Sequence, residues 1–200
     1  LIPPNACRDS VTVFPGNANG TFDTGTSYGT ADQPKTARTG DFNNDGIRDL
    51  ATADQGTGST SVLLGNGDGT FGTRVSWPAC NNSQAHEVAV ADLDLDGNQD
   101  IVLACHSGSD VSVLRGNGNG TFQAAVNYGV GFRPHSLVLV DFDGDGTLDL
   151  ATANRNSDSV SVLRGTGTGT FDSRVDYPVG DGPHWLRAGG GTLSPITPER

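Results

Sequence analysis

Methionine is absent from this chain, lysine occurs once, at Lys35, and cysteine three times, at Cys7, Cys80 and Cys105. So few cysteines do not make a disulfide scaffold; a Cys80–Cys105 bond is geometrically possible and would leave Cys7 over. Long apolar runs are also missing. The longest fall far short of the roughly 18 residues of a membrane-spanning helix, so no membrane insertion is expected. The net charge is −11 and no basic face is evident. That argues against a nucleic-acid partner, because a phosphate backbone demands clustered cations. Helix-favouring stretches are few while glycine reaches 29 residues, a balance that points to many turns and an all-β chain. The opening Leu1-Ile-Pro-Pro-Asn5 has neither an initiator methionine nor a basic leader, as expected of a processed secreted chain or of a fragment.

What the chain does hold is acid in a repeated pattern. Asp41-Phe-Asn43-Asn-Asp45-Gly46-Ile47-Arg-Asp49, Asp92-Leu-Asp94-Leu-Asp96-Gly97-Asn98-Gln-Asp100 and Asp141-Phe-Asp143-Gly-Asp145-Gly146-Thr147-Leu-Asp149 contain eleven of the 23 acidic residues. Side-chain oxygens at positions 1, 3, 5 and 9, a turn glycine at 6 and a free carbonyl at 7 describe a cage for a hard cation. Calcium is the expected occupant, about three ions in all, which would bring the formal charge from −11 to −5. Magnesium prefers a tighter octahedron, and softer metals would want the Cys or His that these loops lack. Solvated Asx turns are the plainer explanation, disfavoured by three nine-residue matches. An EF-hand would need a glutamate at position 12, where Thr52, Leu103 and Thr152 stand.

The tag Gly-Thr-Phe recurs at Gly20-Thr21-Phe22, Gly69-Thr70-Phe71, Gly120-Thr121-Phe122 and Gly169-Thr170-Phe171, at spacings of 49, 51 and 49. Six residues beyond each comes an aromatic: Tyr28, Trp77, Tyr128 and Tyr177. Apolar runs flank each acidic loop, as Leu137-Val-Leu-Val140 and Leu150-Ala-Thr-Ala153 do, followed by an alternating run such as Val160-Ser-Val-Leu163. Short runs bounded by Gly, Asn and Asp read as strands, so each unit carries four and the acidic loop is a hairpin turn. Units of about fifty residues fall near 31–80, 81–130 and 131–180.

Such units read as β-propeller blades, because one small sheet cannot bury both faces alone. A solenoid competes. The closed ring is preferred because residues 9–30 and 181–186 are partial blades that together would make a fourth, in cis or in trans, and cover open sheet edges. The repeat domain is expected over 1–186, with 187–200 a Gly/Pro-rich C-terminal tail lacking a fourth acidic loop.

Asp-Phe-Asp-Gly-Asp-Gly-x-x-Asp-Leu after an apolar strand, with Gly-Asn-Gly-x-Gly-Thr-Phe closing the unit, resembles the FG-GAP/VCBS repeat of integrin α-chain propellers and many secreted bacterial proteins. The resemblance covers Asp9 to Leu186. It implies a β-propeller binding calcium through Asp41, Asn43, Asp45, the Ile47 carbonyl and Asp49. The matching sets are Asp92, Asp94, Asp96, Asn98 and Asp100, and Asp141, Asp143, Asp145, Thr147 and Asp149.

Lys35, His86, His135 and His184 share one slot, six residues ahead of loop position 1 where the loop exists. On a strand lining a propeller channel they would ring one mouth and bind an anion or a transition metal; the plainer reading is a strand-entry residue copied by duplication. Trp77 and its counterparts offer sugar-stacking platforms, with inter-blade packing the stronger expectation. Gly25-Thr-Ser27-Tyr-Gly29 matches a nucleophile elbow, but Ser27 aligns with Ser76, Asn127 and Asp176, and no strand-to-helix turn is expected. Gly116-Asn-Gly118-Asn-Gly120 reads as a turn, since no helix follows to cradle a phosphate. Asn19, Asn81 and Asn119 open Asn-x-Ser/Thr sequons, two of them inside the Gly-Thr-Phe turn.

These readings converge on a non-catalytic, calcium-stabilised module, secreted or at the cell surface, acting in adhesion or surface assembly. A cell-surface protein or a glycan is the expected ligand. The alternatives are a self-assembling ring or filament, through trans pairing of terminal strands, and a carbohydrate-binding lectin.

Overall fold

The computed structural model describes residues 4–5, 9–81, 83–189 and 192–196; Cys7 lies outside them, as does Asn82 of the Asn81 sequon. Strands β1 (Pro4–Asn5), β2 (Ser10–Val13) and β3 (Thr26–Gly29) form a first, three-stranded sheet. Three four-stranded sheets follow: β4 (Pro34–Gly40) to β7 (Val75–Pro78) by way of β5 (Asp49–Asp54) and β6 (Ser59–Leu63) makes the first. The second contains β8 (Ala85–Ala91), β9 (Asp100–Cys105), β10 (Asp110–Leu114) and β11 (Val126–Gly129). The third contains β12 (Pro134–Val140), β13 (Asp149–Asn154), β14 (Ser159–Leu163) and β15 (Val175–Pro178), and a hairpin of β16 (Trp185–Gly189) and β17 (Thr192–Ile196) follows it. All pairings are antiparallel between sequence neighbours. Among the described residues there is no helix, and none long and apolar enough to cross a membrane.

The second strand of each sheet explains why the sheets stack. β5, β9 and β13 are buried at every position, and a strand's side chains alternate between faces. Ile101 and Leu103 of β9 accordingly enter one core with Ala51, Ala53 and Val62 of the preceding sheet. Val102 and Ala104 enter the next, with Leu137, Leu150 and Leu163 of the following sheet. A strand apolar on both faces needs a neighbour on each side, at about 1.5–3 kcal/mol per large side chain buried. The innermost strands β4, β8, β12 and β16 lie side by side. This is the blade arrangement of a β-propeller.

The aromatics seal the sheets from outside. Three of the four stack edge-on against the Phe of the next unit's Gly-Thr-Phe tag: Tyr28 on Phe71 at 5.4 Å, Trp77 on Phe122 at 5.5 Å and Tyr128 on Phe171 at 5.4 Å. The tag places that Phe by a tight turn, in which Gly116 and Phe122 bridge and Asn119 Oδ1 accepts the Thr121 N–H and hydroxyl at 3.1 and 2.6 Å. Asn19 does the same for Thr21, so these two sequon side chains serve the turn.

Among the described residues β2 is paired with β1 and β3, and β16 with β17. Each end has found a local antiparallel partner, and part of segment 187–200, expected as a tail, supplies one of them.

Candidate metal centres

Each acidic loop turns the first strand of its sheet into the second, and the three are built alike. Position 1 accepts the N–H of the position-6 glycine at 2.9 Å, in Asp41–Gly46, Asp92–Gly97 and Asp141–Gly146. Position 5 accepts the N–H of position 7: Asp45 from Ile47 at 2.7 Å, Asp96 from Asn98 at 2.8 Å and Asp145 from Thr147 at 2.8 Å. These bonds hold the Asp96 and Asp145 carboxyls below their ordinary pKa; at Asp145 the Thr147 hydroxyl contributes most. Gly46, Gly97 and Gly146 have φ of 81°, 90° and 90°, and a Cβ there would meet nothing within 4 Å. Glycine is needed for the left-handed backbone, not for space.

The position-9 aspartates are buried and differently employed. Asp49 accepts the Phe42 and Gly65 N–H groups at 2.8 and 2.7 Å, Asp100 those of Leu93 and Gly116 at 2.9 and 2.8 Å, and Asp149 those of Phe142 and Gly165 at 2.9 and 2.8 Å. One oxygen holds the loop and the other holds the exit of the third strand. Burial nevertheless pushes Asp49 up, and Asp100 up to about 6, with neighbouring carboxylates adding to the effect. Desolvated acids crowded by like charge favour an adjacent cation.

The donors fit one. Asp92, Asp94 and Asp96 bring carboxylate oxygens within 4.8 Å of one another, as do Asp141, Asp143 and Asp149. Asp94 Oδ1 is buried with no hydrogen-bond partner, the kind of orphan that a metal satisfies. In the first loop Asn43 replaces a carboxylate and donates to Asp45 at 2.8 Å. Arg115 stands 3.6 Å from Asp94, and Arg164 pairs with Asp143 and stands 3.5 Å from Asp145. Oxygen-only donors suit a hard dication.

Of the residues sharing the strand-entry slot, three histidines meet. Ring centroids lie 4.0 Å apart for His86 and His135 and 4.6 Å for His135 and His184. The slot is a β-bulge: pairing shifts register between Ala85 and Glu87 and between Pro134 and Ser136, and a bulge re-aims the extra side chain. Lys35 occupies the same bulge of β4. His106, which sequence reasoning missed, stacks on His86 at 4.9 Å. A repeat signal for it exists. The N–H of His106 bonds to the Gln84 carbonyl at 2.7 Å, as Gln55 does to Gln33 and Arg155 to Arg133 at 3.0 Å, so the residue after the second strand always abuts the bulge.

Trp77 takes part in the core between the first two four-stranded sheets, with its Nε1 buried. Ser27 lies in β3, its hydroxyl 2.9 Å from that of Thr12 across the sheet. The Cys80–Cys105 disulfide is formed.

The chain belongs to the FG-GAP-like repeat family, which it matches over residues 41–103, 92–152 and 141–190. No curated protein matches it. Among solved structures it is similar to an Agrocybe aegerita lectin that recognises non-reducing terminal N-acetylglucosamine, at 25% identity and a TM-score of 0.57, over 84% of this chain and 46% of the lectin. It is also similar to a putative 6-phosphogluconolactonase from Bacteroides fragilis, at 17% identity and a TM-score of 0.71, over 98% of this chain and 54% of that one. A periplasmic gluconolactonase of Pseudomonas aeruginosa gives 17% identity and a TM-score of 0.69, over 93% and 52%. The chain thus spans about half the length of these proteins.

The two lactonases overturn the expectation that the chain is not an enzyme, because the same fold carries enzymes. That expectation rested on comparing repeats. A comparison of this kind discounts any group that occurs in one unit only, whereas a catalytic group need occur only once.

Proposed function

We propose that this chain is a calcium-stabilised extracellular repeat module that works in adhesion or in assembly at a cell surface. The observation that carries the reading is the second acidic loop, where Asp92, Asp94 and Asp96 converge and Asp94 keeps a buried, unpartnered oxygen. Calcium there, and at the two sister loops, would be held by the residues at positions 1, 3, 5 and 9 and the carbonyl at 7. It would offset carboxylate repulsion across a hairpin turn, so that binding energy becomes folding energy. The Cys80–Cys105 bond supports an extracellular setting, since disulfides persist in oxidising compartments. Assembly is favoured by two rings at opposite ends of the inter-blade seal: Phe22 and Tyr177 are 57% and 53% exposed, while their counterparts are paired.

Calorimetry with calcium and with EDTA tests the reading. Ligand at a thousandfold its Kd contributes about 4 kcal/mol per site, so chelation should lower Tm by many degrees and added calcium restore it. An unchanged melt overturns it. Sedimentation in calcium tests assembly, with a monomer at all concentrations against it.

A second reading, glycan binding, is favoured by the similarity to the Agrocybe aegerita lectin. Glycans ending in N-acetylglucosamine should then retain the calcium-loaded chain on an array. Trp77 would not be the stacking platform, because Phe122 packs against its ring. No retention on the array rejects this reading.

A further inference from the structure

We propose that the imidazoles of His86, His106 and His135 form a site for a borderline transition-metal dication such as Zn2+, distinct from the acidic loops. One ring nitrogen from each lies within 4.8 Å of the other two. The tautomers follow from the carbonyls they face. His86 Nδ1 lies 3.0 Å from the His135 carbonyl oxygen and His135 Nδ1 lies 3.1 Å from that of His184. A carbonyl only accepts, so each Nδ1 carries the proton and each Nε2 keeps its lone pair; backbone bonds of this kind orient metal-binding histidines.

His106 supplies the independent observation. It is only 6% exposed, and its Nδ1 is buried without a hydrogen-bond partner. Stacked neutral rings alone would leave that nitrogen unsatisfied at a cost of about 1–3 kcal/mol, whereas a metal ion would satisfy it. The ring is held in place from both sides of its backbone. Its N–H is tied to the Gln84 carbonyl, and its neighbour Cys105 is bonded to Cys80.

The surroundings set the metal and the affinity. Burial, together with the charges of Lys35, Arg133 and Arg155 and the neighbouring rings, keeps the three imidazoles neutral, which is the ligating form. The same cations oppose a dication, so affinity should be modest and the open fourth position should favour an anion. Zinc ligands in a tetrahedron stand about 3.3 Å apart, so small ring rotations would close the site. Calcium would not compete, because it seeks oxygen.

The test uses the full chain without a histidine tag, saturated with calcium so that the acidic loops are filled, and titrated with Zn2+ by calorimetry. One site per chain is expected. His86→Gln and His135→Gln should each weaken it at least about tenfold, while His184→Gln, which keeps the backbone carbonyl, should leave it unchanged. No zinc binding, or the native affinity in both His86→Gln and His135→Gln, overturns the proposal. Because a variant of the buried His106 risks misfolding, X-ray absorption on the zinc-loaded native chain provides the check: three imidazole nitrogens are expected, and an oxygen-only shell overturns the site. Asp92→Asn with Asp94→Asn should weaken calcium binding and leave the zinc isotherm in place, so failure of either metal reading can be told from failure of the other.

Discussion

Asp54 and Asn154 hold the same place at the ends of β5 and β13, both fully buried, and accept the hydroxyls of Thr52 and Thr152 at 2.7 and 2.9 Å. Ser61 donates to Asp54 at 2.6 Å where Asn154 Nδ2 donates to Ser161 at 2.8 Å. One unit therefore buries a charge where its sister buries a neutral amide. Burial pushes the Asp54 carboxyl up to about 6, against the hydroxyl bonds that would lower it. A raised folded pKa means that stability is fully present below about pH 4 and lost as pH rises through about 6. Asp54→Asn should therefore stabilise the chain at pH 7, by on the order of 1–3 kcal/mol, with little gain at pH 4. Urea denaturation at the two pH values checks this, and an equal effect at both would refute it.

The position-9 aspartates are predicted to matter without metal. Asp149→Ala leaves the Phe142 and Gly165 N–H groups without their acceptor, costing about 3 kcal/mol even in EDTA. Asp143→Asn, at an exposed loop position, should be near neutral in EDTA and should reduce the calcium-induced rise in Tm. If Asp149→Ala is silent in EDTA, the clip role is wrong.

Glu87 ties three innermost strands together. From β8 it accepts Arg38 of β4 at 3.0 Å and the Leu137 N–H of β12 at 3.3 Å. Burial raises its pKa, with the Ser136 hydroxyl and Arg38 opposing the rise. Removing Arg38 should raise it further, so Arg38→Ala should cost more at pH 8 than at pH 4. Half exposure of the arginine puts the cost between the roughly 0.5 kcal/mol of a surface pair and the roughly 3 kcal/mol of a buried one. Glu87→Gln should flatten that pH dependence, which paired denaturation curves would reveal.

The disulfide closes a sequence separation of 25 residues. By loop-closure entropy, Cys80→Ala with Cys105→Ala should lose about 3.5 kcal/mol. Denaturation of the double variant beside the oxidised native chain measures the loss, and equal midpoints would show that the bond is dispensable.

The repeat units, their strands and the acidic turns were legible because each rests on local chemistry repeated at fixed spacing. Alternation in Val160-Ser-Val-Leu163 and aspartates two residues apart need no distant partner to be recognised. His106 was not legible in this way. It occurs in one unit, where its counterparts are Gln55 and Arg155, and its meeting with His86 and His135 depends on two bulges and a backbone bond to Gln84. The expectation of a non-catalytic chain fails for a related reason: the same fold carries enzymes, and a catalytic group unique to one unit leaves no repeated pattern.

By itself the sequence determined an all-β repeat of four-stranded units with oxygen-lined hairpin turns, because strand period, turn glycines and carboxylate spacing are properties of contiguous residues. The tertiary structure alone decided which aromatic seals which blade, which strands the two ends pair with, and which histidines face one another. Those outcomes depend on side chains about fifty residues apart meeting across neighbouring sheets, and no local pattern specifies that distance.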